Sequence, residues 1–343
     1  MIEIFLLILL VFLINYLFKK KNILSNTTGQ LHQIYNQENQ VPLSGGLFLL
    51  CYFYYHYEIF DLILILYFTI FFVLGVLTDL NLIKSPNYRF LAQTLLLILF
   101  IIQLDIAIYD VRVEWFNILL ENYYFNIFFV LFCLLVLING SNFIDGNNGI
   151  SLGYFLIIFL ILLNLIDKKL ILYEQFFLIS FLATLIILLI FNLFNKLYLG
   201  DSGVYILSLF SGYVLIDLFS QNKDISPYFV VNILWYPAFE ILFSLIRKIK
   251  IKYSPMMPDT AHLHQLLFHF YSQNINIKKS FLNSMTGLSV NIYNGIILYS
   301  VSLNINNTKF QITILFMSLF VYLIVYFLLI KYKKLSNKIK SNH

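Results

Sequence analysis

Apolar residues fall into long blocks divided by short polar stretches, and no strand-like alternation interrupts them. A helix needs about 20 apolar residues to cross the hydrocarbon core of a bilayer. Eleven blocks approach that length, near residues 2–18, 41–57, 59–77, 90–104, 123–139, 150–166, 171–194, 203–220, 228–246, 283–303 and 310–330. The pattern predicts an all-α, polytopic integral membrane protein of about 10–11 transmembrane helices. The stretch 105–122 is amphipathic and reads as a segment lying along the interface. The first block has neither a basic start nor a small-residue cleavage site, so it reads as a retained helix and not as a leader peptide.

Composition agrees: 60% of the chain is hydrophobic and 11% charged, against roughly 25% charged in a soluble domain, which excludes a soluble globule. Cys51 and Cys133 both sit inside apolar blocks, too few for a disulfide framework and placed like small core residues. The net charge of +5 would suit a nucleic-acid partner only if the bases formed their own patch. They abut apolar blocks instead, at 19–21, 247–252 and 331–340, where membrane proteins concentrate positive charge.

With the N-terminus outside, 17 of the 22 Lys and Arg fall on one side of the membrane, which the positive-inside rule makes cytoplasmic. The C-terminus falls there too. One membrane domain would span 1–330, with loops at about 78–89, 139–149, 195–203 and 247–280 on the cytoplasmic face and a basic tail at 331–343. Eleven of the 17 acids lie on the other side, in an arrangement that suggests solvated loop charges. Only Glu38, Asp79, Asp145, Asp201 and Asp259 remain in the inner loops, with Glu240 inside the ninth block.

Those inner loops carry the chemistry. Asp79 stands near the end of the run GVLTDL, where it also reads as a helix cap, with Lys84 and Arg89 behind it. In NGSNFIDGNNGI, Asn139, Asn142 and Asp145 recur every three residues; polar groups at membrane depth are costly and mark a polar cavity. Asp201 stands in LGDSG at a helix start. There free backbone N–H groups favour a phosphate and the carboxylate can hold a cation against it. SPMMPDTAHLH holds Asp259, His262 and His264. Two residues apart, these histidines reach one ligand only at a helix's first turn or on irregular backbone. Oxygen donors with at most two histidines favour Mg²⁺ or Mn²⁺ over zinc, and phosphoryl transfer suits a metal with neutralising cations.

The ordered set VPLSGG, GVLTDL, NGSNFIDGNNGI, LGDSG and SPMMPDTAHLH, across about residues 42–268, resembles the polyprenyl-phosphate N-acetylhexosamine-1-phosphate transferases, glycosyltransferase family 4. The layout is more similar to its undecaprenyl-phosphate N-acetylglucosamine 1-phosphate branch than to its muramoyl-pentapeptide branch, whose dense histidine run is reduced here to His-Leu-His. The resemblance implies transfer of a sugar-1-phosphate from a UDP-N-acetylhexosamine to a polyprenyl phosphate, with release of UMP, at the cytoplasmic face of a bacterial inner membrane. That step begins a lipid-linked cell-surface glycan such as a wall polymer or lipopolysaccharide.

The resemblance further implies Asp201 and Asp79 as the metal-site acids, Asp201 as the Mg²⁺ ligand of its motif and Asp79 beside the metal and the lipid phosphate. It places Asn139, Asn142, Asp145 and Asn148 in a nucleotide- and diphosphate-lining loop, and His262 and His264 over the diphosphate or sugar. Lys84, Arg89 and Lys196 are added by proximity as phosphate-neutralising cations, and Asp259 as a substrate-side acid. Three positions depart from the family pattern. Thr78 stands for the first Asp of a pair, Asn148 for a second Asp, and Thr260 and Gln265 for an Arg and a His of the histidine motif. These departures keep open a divergent member that binds lipid-linked sugar with weak or no turnover. From another class, a transporter would show repeat symmetry and midplane sites, and neither is apparent. Homodimerisation stays open.

Overall fold

The computed structural model describes residues 2–21, 23–24, 41–167, 175–250, 252 and 261–341. The regular structure of the described residues is helical, apart from an isolated bridge at Pro42. Fourteen α-helices follow in order: α1 (Ile2–Lys21), α2 (Gly45–Tyr55), α3 (Leu62–Asp79), α4 (Pro86–Gln103), α5 (Glu114–Leu120), α6 (Tyr123–Ile144) and α7 (Ile150–Asp167). Then come α8 (Gln175–Leu193), α9 (Gly200–Gln221), α10 (Pro227–Ile233), α11 (Trp235–Lys250), α12 (Leu263–Asn274), α13 (Lys279–Ser302) and α14 (Thr308–Ser341). Each of the eleven apolar blocks coincides with a helix, or in one case a pair. The amphipathic stretch holds only the short α5.

Among the described residues five helices, α3, α6, α8, α9 and α14, are long and apolar enough to cross a membrane unaided, and α10 with α11 makes a sixth if counted as one span. Of the other expected spans, α1 has 20 residues and α7 has 18, as long as α3, while α2 is shorter and α4 and α13 are more polar.

Helix α9 is the hub, almost wholly buried and packed against α2, α3 and α6. Small residues let the backbones approach, the usual device of membrane helix packing: a Cβ at Gly75 of α3 would collide with the Ser202 backbone. Around the hub, α11 lies on α6, α13 on α7, and α12 bridges α13 and α14. Large apolar side chains, among them Ile63, Leu95, Phe128 and Phe320, remain exposed on the outer faces, as expected where the surroundings are lipid. The same inversion corrects the reading of the cysteines as core residues, because Cys51 is exposed and Cys133 half-buried, and both are free.

The ninth block is not one straight span. It breaks at Leu234 into α10 and α11, which meet at 74°. Pro237 supplies no N–H for the carbonyl of Ile233 four residues earlier; that carbonyl instead accepts from Tyr154 Oη of α7 at 2.8 Å. A side chain from a neighbouring helix thus satisfies the group that the break exposes.

Candidate active site at the helix ends

The C-terminal end of α3, the N-terminal turn of α4, the C-terminal end of α6 and the N-terminus of α9 converge. Asp79, the last residue of α3, accepts from the backbone N–H of Asp201 at 2.9 Å through Oδ1 and from that of Ser202 at 3.3 Å through Oδ2. Free N–H groups at a helix start need acceptors, and α9's own N-cap residue, Leu199, provides none. Asp79 is therefore a cap, as one reading of the sequence had it, but for a helix 122 positions further along the chain. Gly200 permits this approach: its φ is +74°, and a Cβ there would lie 2.8 Å from Asp79 Oδ2. Thr78 beside it donates back to the carbonyl of Leu74 at 3.0 Å.

Asp201 is buried and surrounded by donors. Oδ1 accepts from Asn142 Nδ2 at 2.7 Å. Oδ2 faces Arg89 Nη1 at 3.3 Å and accepts from Tyr205 Oη, one turn on, at 3.4 Å. Asp145, directly after α6, makes no side-chain hydrogen bond among the described residues. Burial, reinforced by the negative charges of Asp201 and Asp79, pushes its carboxyl well above the ordinary range. Among the described residues, three carboxyls thus share one region in which Arg89 pairs with Asp201. No group of three or more His, Cys, Asp or Glu among the described residues is arranged to hold a metal by itself. A Mg²⁺ site does not require one, since that ion uses one or two carboxylates and completes its shell with water and phosphate. An excess of acid at a helix N-terminus fits that donor set.

The histidine motif packs against the loop that holds Asp145. His262 is the N-cap of α12 and His264 follows in its first turn, the placement that lets both face one ligand; the rings stack with centroids 5.6 Å apart and planes within 5°. Gln265, where the family pattern has a histidine, accepts from the His262 backbone N–H at 3.3 Å and completes a capping box. Glu240 of α11 holds the motif from behind: Oε2 lies 3.1 Å from His262 Nδ1, and Oε1 accepts from the N–H of Leu263 at 3.2 Å. Phe143 of α6 lies against the His262 ring at 5.2 Å and under Lys248 Nζ at 5.7 Å. A Cβ at Gly146 would meet His264 Nε2 at 2.5 Å, so this ring rests on the loop that carries Asp145.

Other candidates lie elsewhere. Asn139 donates to Gln93 Oε1 at 3.0 Å and to the Leu135 carbonyl, and so joins α6 to α4. Asn148 donates to Asn195 Oδ1 at 2.6 Å, and the carbonyl of neighbouring Gly149 accepts from Asn291 Nδ2 at 2.6 Å; that end of the loop is pinned to the α8–α9 connection and to α13. Lys84 is exposed in the α3–α4 turn, and Lys196 is exposed in the α8–α9 connection. Asp259, with Glu38 and Thr260, lies outside the described residues. Among residues not singled out from the sequence, Tyr205 could have been found by its four-residue spacing from Asp201. The role of Glu240 could have been found from the rule that an acid inside an apolar block has a partner.

Residues 62–219 match the family model described as glycosyl transferase family 4. Three of the five motifs, GVLTDL, NGSNFIDGNNGI and LGDSG, fall inside that segment. The chain is 26% identical over 216 residues to the undecaprenyl-phosphate alpha-N-acetylglucosaminyl 1-phosphate transferase of Thermotoga maritima, a match covering 62% of each chain. It is 29% identical over 215 residues to the probable undecaprenyl-phosphate N-acetylglucosaminyl 1-phosphate transferase of Bacillus subtilis, covering 58% of this chain and 55% of that one. The chain spans less than two thirds of the length of either relative. The resemblance read from the motifs, and its leaning toward the N-acetylglucosamine branch, are borne out.

Proposed function

We propose that this protein transfers N-acetylhexosamine-1-phosphate from a UDP-sugar to a polyprenyl phosphate, at the inner face of a bacterial plasma membrane. The carrying observation is the meeting of Asp201, Asp145, Asn142 and Arg89 at the amino end of a buried helix, within the segment that matches glycosyl transferase family 4. An oxygen of the lipid phosphate attacks the β-phosphorus of the donor. A new P–O–P bond forms, the bond from that phosphorus to the oxygen shared with the α-phosphate breaks, and UMP leaves with that oxygen. A phosphomonoester has a second pKa near 6 and is mostly ionised at neutral pH, so the acceptor needs no strong base. Thr78, bonded back into its own helix, is then compatible with turnover.

Asp201, with Asp145 beside it, would hold a Mg²⁺ or Mn²⁺, which when bound offsets negative charge on the donor diphosphate. Asp79, with an amide on each oxygen, keeps the α9 terminus oriented. Arg89 can shift from Asp201 to a phosphate oxygen. His262, oriented by Glu240, and His264 would contact the diphosphate or sugar. Membranes or purified protein supplied with UDP-N-acetylhexosamine, polyprenyl phosphate and Mg²⁺ are expected to release UMP. Asp201→Asn should lower that rate by at least about a hundredfold, the scale of one lost charge-stabilising contact. No UMP from any donor, or full activity in the variant, would overturn the assignment.

A further inference from the structure

A groove apart from the carboxyl cluster lies between α1 and the end of α8, with Pro42 also lining it and a cavity volume of about 530 Å³. Phe12 and Phe194 contribute apolar walls, while Asn15, Lys19 and Lys196 also face it. Lys19 of α1 and Lys196 of the α8–α9 connection are remote in sequence, are both exposed, and have no acid among the lining residues. Asn15 is 8% exposed; its Oδ1 accepts from Ser44 Oγ, but its Nδ2 has no partner among the described residues. A buried amide donor left unmade costs about 1–3 kcal/mol, so an acceptor from outside the protein is favoured at that point. Apolar walls along two helices, two ammonium groups and an unfilled N–H donor together describe one chemistry, an acyl chain ending in an anionic headgroup.

We propose that this groove is a binding site for an anionic glycerophospholipid of the surrounding membrane. Its phosphate lies between Lys19 and Lys196, a headgroup oxygen accepts from Asn15 Nδ2, and one acyl chain runs along Phe12 and Phe194. The site is not isolated from the active centre. Asn195, which also lines the groove, accepts from Asn148 of the Asn/Asp loop at 2.6 Å, and the same α8–α9 connection leads into Gly200 and Asp201. A bound lipid would fix that connection.

The test uses the full chain, purified in detergent and stripped of lipid, with native mass spectrometry reading retained lipid during titration. Phosphatidylglycerol is expected to bind with one site and phosphatidylcholine weakly. A lysine near an anionic surface contributes about fivefold in affinity, so Lys19→Gln with Lys196→Gln should weaken phosphatidylglycerol about 25-fold and leave phosphatidylcholine unchanged. Both lysines are exposed, so the fold should survive; Asn15→Leu, which keeps the volume and removes the donor, is the second variant and should weaken the same lipid. Equal retention of the two lipids, or unchanged retention in the double variant, overturns the proposal. So does a site that takes polyprenyl phosphate but from which phosphatidylglycerol cannot displace it, because the groove would then belong to the acceptor substrate.

Discussion

Two aspartates at the centre of the site have different work to do, although both are buried beside the same helix terminus. Asp79 spends both carboxylate oxygens on the amides of Asp201 and Ser202; Asp201 accepts only from side chains, which can exchange for substrate or metal. Removing Asp79 should therefore appear first as instability. Asp79→Ala leaves two buried N–H groups without acceptors and is expected to cost about 2 kcal/mol or more, read as a lower midpoint of thermal unfolding. Asp79→Asn, which retains one acceptor, should recover part of that loss, and equal midpoints for Ala and wild type would refute the capping role. Asp145 supplies the pH dependence. Its raised pKa means that it still binds a proton where an ordinary Asp has lost one. The metal-free fold should then lose stability as pH rises from the ordinary carboxylate range through the raised value, since the unfolded chain holds fewer protons there. If Asp145 helps hold the proposed metal, binding would displace that proton, and the Mg²⁺ concentration needed for half-maximal rate should climb as pH falls through the same range. Asp145→Asn should flatten that dependence.

At the scale of elements, close helix approach sets the geometry that those side chains use. Gly75 lets α3 lie against the first turn of α9, four residues before Asp79. Gly75→Ala should push the two helices apart, at the roughly 1–3 kcal/mol typical of overpacking, and should lower activity along with stability because Asp79 moves with α3. Gly295→Ala is the matched control: a Cβ there would meet nothing closer than Ile157 at 3.6 Å, and both readouts should hold. The positions of the elements were legible in the apolar blocks because a bilayer-length run leaves helix as its main solution. So were Asp201, Asp145 and Asn142, since isolated polar residues at helix ends stand out against so apolar a chain. Partnerships were not legible. That Asp79 caps α9 rather than its own neighbourhood, or that Asn148 and Asn139 serve interhelical joints, depends on which helix ends meet, and apolar periodicity says nothing about neighbours when lipid and protein both accept apolar faces. The 74° break within the ninth block had its signal in Pro237, but its stabilising partner, Tyr154, lies in another helix.

Across the whole molecule the two ends of the bundle are built on different principles. At the site end, acids outnumber their cationic partners around α9, a surplus that favours a bound cation over internal stability. The far end carries a staple. Arg112, with φ of +55°, donates through Nη2 to the Asp224 carbonyl at 2.7 Å and through Nη1 to the Asn306 carbonyl at 3.0 Å and Thr308 Oγ1 at 2.5 Å. One guanidinium fork thus joins the α4–α5, α9–α10 and α13–α14 connections, a geometry lysine cannot reproduce. In the sequence Arg112 lies outside the four inner loops and carries no signal of this role. Because these bonds are partly solvated, their loss should be moderate. Arg112→Ala should lower the unfolding midpoint by a few degrees, and Arg112→Lys should fall nearly as far, since an ammonium cannot span three connections. UMP release at a temperature well below the midpoint should stay at the wild-type rate in both variants. A loss of rate without a loss of stability would mean that the two ends are mechanically coupled through α9, the helix that runs from Asp201 to the connection that Arg112 holds.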